Sequence, residues 1–345
     1  MSMLNLFKHL MVLTAIATIN ACSGGEPQAA PNSLGANQEA KFVPPVRLSR
    51  VRPTNEHRHR GRTWMSPQAQ ETTLLYVADE ETNDVYALSY PGGKWMGALT
   101  DLEGLNGLCS DGSGNVFVSQ YDAQNVEEFA HGGTSPIGTL TVEGYPDGCS
   151  VDPTTGNLAV ATFGGSSPSG SGGIWIIKHG SGSGKLYQDP AIAYYWPPGY
   201  DSHGNVFVQG WDFYELPHLA VLHAGSSHFT NINVNYAMGL PGGVMWDGSH
   251  LAVTDQLYMG SRLSAIYRVS VSGSQGKLVG TTLLKPSSNC PHESDAFQPW
   301  IQDGTVIGGN LYCRTIEYWQ YPAAGKPTKF LPGISVEPVG ETLSK

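Results

Sequence analysis

The sequence predicts an all-β protein: a six-bladed β-propeller closed by pairing the C-terminal strand with the first blade. Three observations carry this. Gly and Pro number 43 and 23 in 345 residues, about a fifth of the chain, against roughly 12 % in ordinary proteins. A phrase of about 45 residues recurs after residue 70. The two ends of the repeating region are complementary halves of one repeat. Hydrophobic residues at 40 % and aromatics at 10 % supply a large core and exclude general disorder.

The phrase is Gly, a short apolar stretch, Asp, a turn with Gly or Asn, then an apolar strand ending in Val. It runs from Gly107 to Val118, Gly148 to Val160, Gly199 to Val208 and Gly243 to Val253, with a degraded copy from Trp300 to Ile307. The five aspartates, Asp111, Asp152, Asp201, Asp247 and Asp303, are 41, 49, 46 and 56 residues apart. Asp and the following Gly or Asn suit a tight hairpin turn, because Gly and Asn accept positive φ. The apolar stretches on either side are then neighbouring antiparallel strands.

A third strand follows in several copies: Asp84–Tyr90, Asn125–Phe129, Ile174–Ile177, Ala265–Val269 and Ile316–Trp319. A Gly-rich turn such as His131-Gly132-Gly133 leads to a fourth, as in Ile137–Leu140. Four strands in about 45 residues make a propeller blade. Leu74–Asp79 matches a second strand with no first strand before it, and Val336–Leu343 supplies the missing one. Blades are therefore expected at 75–100 with 334–344, then 104–141, 145–190, 196–237, 240–286 and 295–332, the fourth losing regularity after 211. Closing the ring in this way removes the exposed sheet edge.

The chain before the repeats predicts three divisions: a signal peptide at 1–21, a flexible basic tether at 22–70 and the propeller at 71–345. Leu10–Ile19 is an apolar run too short to span a bilayer as a mature helix. Ile19-Asn20-Ala21-Cys22 resembles the bacterial lipobox, which implies lipidation of Cys22 and an extracytoplasmic, lipid-anchored domain; Ser23 rather than Asp after it resembles outer-membrane sorting. Residues 1–70 carry +5 and residues 71–345 carry −15. The six arginines between Arg47 and Arg62 suit anionic headgroups, the acidic domain, or plain solvent. An acidic folded region without a basic face excludes nucleic acid as a partner. A monomer is expected.

Of five cysteines, four remain beside Cys22. Cys290 and Cys313 form a plausible disulfide in an oxidising compartment. Cys109 and Cys149 occupy nearly equivalent places in neighbouring repeats, as a pair or as small buried hydrophobes.

Gly107–Asp111, Leu75–Asp79 with Asn83–Val85, and Tyr145–Leu158 resemble six-bladed propellers of the NHL-repeat type, bacterial secreted or lipoprotein branch, over residues 74–344. The resemblance implies the fold and no particular reaction. A second one is narrower. Asn106-Gly107-Leu108 and Asp147-Gly148 are similar to motifs of gluconolactonase- and regucalcin-type lactonases, which implies a divalent cation such as Ca²⁺ held by Asn106, Asp147 and Glu337 and a metal-dependent lactone hydrolysis. In those enzymes the Glu opens the first blade and the Asn and Asp lie in later blades, whereas here the three would fall in adjacent blades.

Signatures of a nucleophile elbow, a phosphate loop or a zincin helix are absent from the sequence. The expected function is therefore binding or scaffolding without a cofactor, toward an envelope protein, small molecule or glycan, with the lactonase as the alternative. Ligands of propellers collect at a channel mouth built by the turns entering the inner strands and the ends of the second strands. That nominates Asn106, Asp147, Glu337, Trp196, Trp211 and Asp255. The aromatics Tyr194, Tyr195, Trp196, Trp211, Phe213 and Tyr214 form either a sugar or peptide platform or blade packing. His292-Glu293-Ser294-Asp295 is either an acid/base or metal cluster or a disulfide-pinned loop.

Overall fold

The second strand of the first blade shows how the sequence makes this fold. Leu74–Asp79 is buried at every position. Side chains alternate across a strand, and here both faces are covered. Leu74, Tyr76 and Ala78 pack toward the second blade with Leu108, Val116 and Val118, while Leu75 and Val77 pack toward the sixth with Ile307, Ile316 and Tyr318. The same division recurs around the ring, so that an apolar cluster sits at each blade–blade contact.

The computed structural model describes residues 62–345 except 289, 292 and 336. The expected signal peptide 1–21, Cys22 and most of the expected tether lie outside the described residues. The last part of that tether is built onto the propeller: Trp64–Met65 pairs with Trp95–Leu99 as an added outer strand of blade 1, followed by a short 3-10 turn at Pro67–Glu71 whose Ala69 is buried.

Six antiparallel sheets form the blades. From inner to outer strand, blade 1 is Pro338–Ser344, Leu74–Asp79, Asp84–Ser89 and Trp95–Leu99; blade 2 is Leu105–Ser110, Val116–Gln120, Asn125–Phe129 and Pro136–Thr141. Blade 3 is Pro146–Val151, Leu158–Gly164, Ser171–Ile177 and Lys185–Tyr187. Blade 5 is Pro241–Trp246, Leu251–Asp255, Ala265–Ser272 and Gln275–Leu283, with Asn233–Val234 added in parallel outside it. Blade 6 is Trp300–Gln302, Thr305–Asn310, Thr315–Gln320 and Lys329–Pro332.

Blade 4 is irregular on both sides of residue 211. Its second strand, Val206–Trp211, pairs with two fragments, Tyr194–Tyr195 and Gly199–Tyr200, separated by Pro197 and Pro198. Neither proline has an N–H to donate, so the ladder breaks there. Its third strand is Pro217–Leu222 and its outer strand is only Thr230–Asn231.

Closure follows the expected plan. Pro338–Ser344 pairs antiparallel with Leu74–Asp79, from Leu74 opposite Ser344 to Asp79 opposite Pro338. Ser110 Oγ of blade 2 donates to the Leu343 carbonyl at 2.6 Å, so the closing strand is also held by the next blade.

The repeated aspartates are turn residues. Asp111 Oδ1 accepts the N–H groups of Ser113 and Asn115 at 2.9 and 2.8 Å, and Asp201 Oδ1 does the same for His203 and Asn205. Gly114, Gly204 and Gly248 take φ of +88°, +78° and +93° in these hairpins. In the degraded copy Asp303 itself takes φ +47°. In such a meander the turn entering the inner strand and the turn between second and third strands share one face, called upper here. The Asp hairpins lie on the lower face.

The cysteines settle into two pairs. Cys290 pairs with Cys313, as expected. Cys109 pairs with Cys149 across the inner strands of blades 2 and 3, with Cα atoms 5.4 Å apart. Equivalent register places them side by side, so they are a cross-blade link and not merely small apolar side chains.

Two outcomes are expected. Deleting the last ten residues removes the inner strand of blade 1 and abolishes the cooperative thermal transition; a melting temperature unchanged from the full chain would contradict closure. Replacing Cys109 and Cys149 together by Ser lowers stability by about 2–4 kcal/mol through the freed unfolded chain, read by urea denaturation of the oxidised protein.

Candidate functional site

The upper ends of the second strands carry buried polar side chains, and each holds a nearby turn. Asp79 accepts Ser335 Oγ at 2.6 Å and the Glu337 N–H at 3.3 Å. Gln120 Oε1 accepts the Glu103 N–H at 2.8 Å. In blade 3 the Thr162 and Ser166 hydroxyls are 2.6 Å apart, and Ser166 donates to the Glu143 carbonyl. Asn310 Nδ2 donates to the Glu293 carbonyl at 3.3 Å. In blade 4 Gln209 reaches the next blade, donating to the Gly242 and Thr254 carbonyls at 2.8 and 2.6 Å. Buried polar groups need such partners, and these also fix the turns that enter the inner strands.

Asp255 belongs to this set. It accepts the N–H groups of Gly239 and Leu257 at 3.2 and 3.0 Å and the Tyr267 hydroxyl at 2.9 Å. Burial pushes its carboxyl above the ordinary value, and those N–H groups oppose the shift. Its partners are all within the protein, which is the work of a structural clasp.

Asn106 and Asp147 are brought together. Both are buried, each is the second residue of its inner strand, and Asn106 Nδ2 donates to Asp147 Oδ1. Tyr121 and Tyr145 stack nearby with ring centroids 4.8 Å apart. The Tyr121 hydroxyl is pushed up by burial first and by the charge of Asp147 second.

Glu337 occupies a different position. Strand register aligns Asp147 and Asn106 with Val339 of the closing strand, because Pro338 opposes Asp79 as Pro146 opposes Thr162. Val339 is buried in the apolar cluster between blades 1 and 2. Glu337, half-buried, lies one step before this strand; its carbonyl accepts the Glu80 N–H at 2.9 Å and its own N–H donates to Asp79. Among the described residues no group of three or more His, Cys, Asp or Glu is arranged to hold a metal ion.

The channel axis is filled by a residue the repeat does not announce. Gln298, from blade 6, reaches blade 2: its Nε2 donates to the Leu108 carbonyl at 2.9 Å and its Oε1 accepts the Leu108 N–H at 3.2 Å. The same Nε2 lies 3.4 Å from the Cys149 carbonyl of blade 3. A Cβ on Gly107 would fall 2.4 Å from Gln298 Oε1, and one on Gly148 or Gly340 would fall 3.1 Å from it. The sequence signal was the loss of the repeated Gly in blade 6, where Pro299 stands four residues before Asp303 and follows Gln298.

Below this amide lies a cavity of about 120 Å³. Tyr200, Trp246, Trp300 and Glu341 line it, together with both half-cystines Cys109 and Cys149. Cys109, Cys149, Tyr200 and Trp246 belong to the later halves of their inner strands and Trp300 stands three residues before the Asp303 turn, so the cavity is on the lower side, away from the turns that nominated the mouth.

The aromatic set of blade 4 forms a continuous chain of ring contacts. Phe163 stacks on Tyr194 at 4.9 Å and meets Trp196 edge-on at 5.1 Å; Trp196 meets Trp211 at 5.0 Å, and Tyr194 meets Phe213 at 5.9 Å. Trp196 is buried. Tyr194, Tyr195 and Trp196 therefore pack blade 4 against blade 3. Its far end does not: Phe213, Tyr214 and Leu216 are 57 %, 85 % and 58 % exposed.

The acidic loop before blade 6 is tied down. Arg262 pairs with Glu293, and Ser294 Oγ donates to the Leu284 carbonyl at 2.6 Å. His292 lies outside the described residues.

No protein-family model and no curated protein matches the chain by sequence. Solved structures do match in shape. A chain of the nidogen/laminin complex aligns over 79 % of this chain and 98 % of its own, with TM-score 0.62 and 14 % identity. A protein of unknown function from Bacteroides caccae aligns over 79 % and 99 %, with TM-score 0.56 and 12 % identity. A chain of the Kuenenia stuttgartiensis hydrazine synthase aligns over 75 % and 76 %, with TM-score 0.54 and 13 % identity. At such identities the likeness shows the fold alone, and with the six sheets above it establishes this chain as a six-bladed β-propeller.

Proposed function

We propose that this protein is a cell-envelope lipoprotein whose propeller binds a partner protein without catalysis, through the upper rim of blade 4. The observation that carries the reading is the exposed turn Phe213-Tyr214-Glu215-Leu216. Single exposed apolar residues are ordinary, but three in one turn are a candidate contact surface. Asp212 braces the turn, its Oδ1 accepting the N–H groups of Tyr214 and Leu216 at 2.8 and 3.0 Å. The ring chain beneath supports Phe213 from blade 3. A rigid aromatic projection loses little entropy on binding, which favours affinity. Met259, 80 % exposed, stands on the corresponding upper turn of blade 5 and extends the apolar character to the adjacent blade.

Two cross-links, Cys109–Cys149 and Cys290–Cys313, suit an oxidising compartment. The resemblance of Ile19–Cys22 to a lipobox supplies the anchor. One similar propeller comes from a complex of nidogen with laminin, which supports this architecture as a platform for a protein partner. The lactonase reading keeps the Asn106–Asp147 pair as its motive. Among the described residues it gains no third ligand, since the blade 1 equivalent is the apolar Val339, and it is not adopted.

A photo-crosslinking residue at Tyr214 is expected to trap a discrete protein adduct in intact cells, and one at Ser113 on the lower face is not. Equal labelling from both positions, or none from Tyr214, would reject the rim as the contact surface. Metabolic labelling with palmitate is expected to mark the wild-type chain, and Cys22→Ser is expected to lose the label and leave the membrane fraction. A wild-type chain recovered unlabelled and soluble would remove the anchor from the reading.

A further inference from the structure

Charge is divided between the two faces of the propeller. The seven upper turns between residues 80 and 216 hold exposed Glu81, Asp101, Glu103, Asp122, Glu143 and Glu215, and among the described residues of these turns there is no Lys, Arg or His. The described lysines of blades 1 to 4 are at the other end. Lys94 and Lys178 stand on lower turns, Lys185 begins a strand there, and Lys345 follows Ser344, whose Oγ donates to the Gly114 carbonyl of a lower hairpin. Upper-face arginines lie away from blade 4 or are paired: Arg62 is at the outer edge of blade 1, Arg314 is on blade 6, and Arg262 of blade 5 pairs with Glu293.

The negative charge is felt within the face itself. Asp84 follows the first of these turns, and its carboxyl is pushed up to about 6 by burial first, then by the charges of Asp79 and Asp101. The group that opposes this shift is the Tyr86 hydroxyl, a neutral one. The projecting turn of blade 4 belongs to the same face. Glu215 stands between Tyr214 and Leu216 in it. The Glu143 carbonyl accepts the Ser166 hydroxyl at the upper end of blade 3, close in the chain to Phe163, on which the ring chain under Phe213 rests.

An apolar projection in an acidic surround selects its occupant. Apolar side chains that enter an anionic bilayer are accompanied by Lys or Arg, and here they are accompanied by Glu and Asp, so such a bilayer is repelled. Nucleic acid and acidic proteins meet the same repulsion. A neutral apolar surface would cover the rings but leave the neighbouring carboxylates without counter-charge. A basic protein surface gains twice: its recess takes the rings, and its cations meet the carboxylates and steer the encounter. We infer that the partner of the blade 4 rim is a basic protein surface, an apolar recess bordered by Lys or Arg that receives Phe213, Tyr214 and Leu216. This partner chemistry rests on the reading of the rim as a contact surface and adds to it the charge of what covers the rim.

The test places a photo-crosslinking residue at Tyr214 in three full-length chains: the native one, Glu143→Gln with Glu215→Gln, and Glu143→Lys with Glu215→Lys. Circular dichroism melts check folding, and Asp122→Lys with Glu143→Lys replaces a pair that does not fold. Protein adduct in intact cells is expected to fall with the Gln pair and to fall about ten-fold or more with the Lys pair, because like charges face each other there. Equal yield from all three chains, or a gain with Lys, would overturn the inference and leave the rim standing as a contact surface. A lipid adduct, or none from the native chain, would reject the rim and the inference together. In a second arm the purified full-length protein is titrated with a labelled peptide of Leu-Lys-Lys-Leu repeats, its Leu-Glu-Glu-Leu counterpart and phosphatidylglycerol vesicles. Only the cationic peptide is expected to bind, more weakly in ~0.5 M than in ~0.05 M salt and more weakly to Tyr214→Ser with Leu216→Ser. Binding of the acidic peptide or the vesicles instead, binding of no probe, or cationic binding indifferent to the Ser pair would overturn the inference.

Discussion

Six strands converging on one axis leave no room for ordinary side chains, and much of the structure follows from that crowding. Gly107, Gly148 and Gly340 bring three inner strands around the Gln298 amide at distances where a Cβ would collide with it or press on it. Gly199 of blade 4 is similarly constrained, since its Cβ would stand 2.4 Å from the Val244 carbonyl. Glycine is normally a weak strand residue. Here it is required, and its cost is offset by the apolar clusters between blades. Blade 6, where Pro299 stands at the offset held by Gly107, Gly148 and Gly243, contributes the amide that joins blades 2, 3 and 6 across the centre. The axis is thus a hydrogen-bonded plug with a cavity below it, not an open tube.

A second constraint acts at the upper face. The turns entering the inner strands carry backbone groups that the sheets cannot satisfy, and the side chains ending the second strands take them up. Asp79, Gln120, Asn310 and Asp255 differ in chemistry but hold equivalent places and do equivalent work. Because their polar atoms are engaged within the fold, the upper mouth presents less free chemistry than its composition suggests. The surface left over is the projecting turn of blade 4, where prolines and short strands interrupt the regular pattern.

The blades were legible because each copy repeats a local requirement: an Asp that accepts turn N–H groups, a Gly with positive φ, and an alternation buried on both faces. The closing strand was legible from the complementary ends. The candidate site was legible only in pieces. Asn106 and Asp147 share a position in the repeat and do meet, but Glu337 was aligned by the turn before its strand, and a shift of two residues replaces it with Val339. Cys109 and Cys149 are 40 residues apart, and their pairing needs the distance between adjacent inner strands, which spacing along the chain does not supply. Gln298, Trp246, Trp300 and Glu341 belong to no motif. They converge from different blades, and only closure of the ring places them around one cavity.

The closing strand also orders events in time. Ser335 bonds Asp79 across 256 residues, and Ser110 bonds Leu343 across 233. Contacts of such separation form late, after the hairpins within each blade, because long loops must be closed first. Until residues 338–344 arrive, Leu74–Asp79 is an apolar strand with an unpaired edge at the centre of the molecule. A growing chain therefore holds five assembled neighbours and one open seam, and its most association-prone surface persists until residues 338–344 have been delivered.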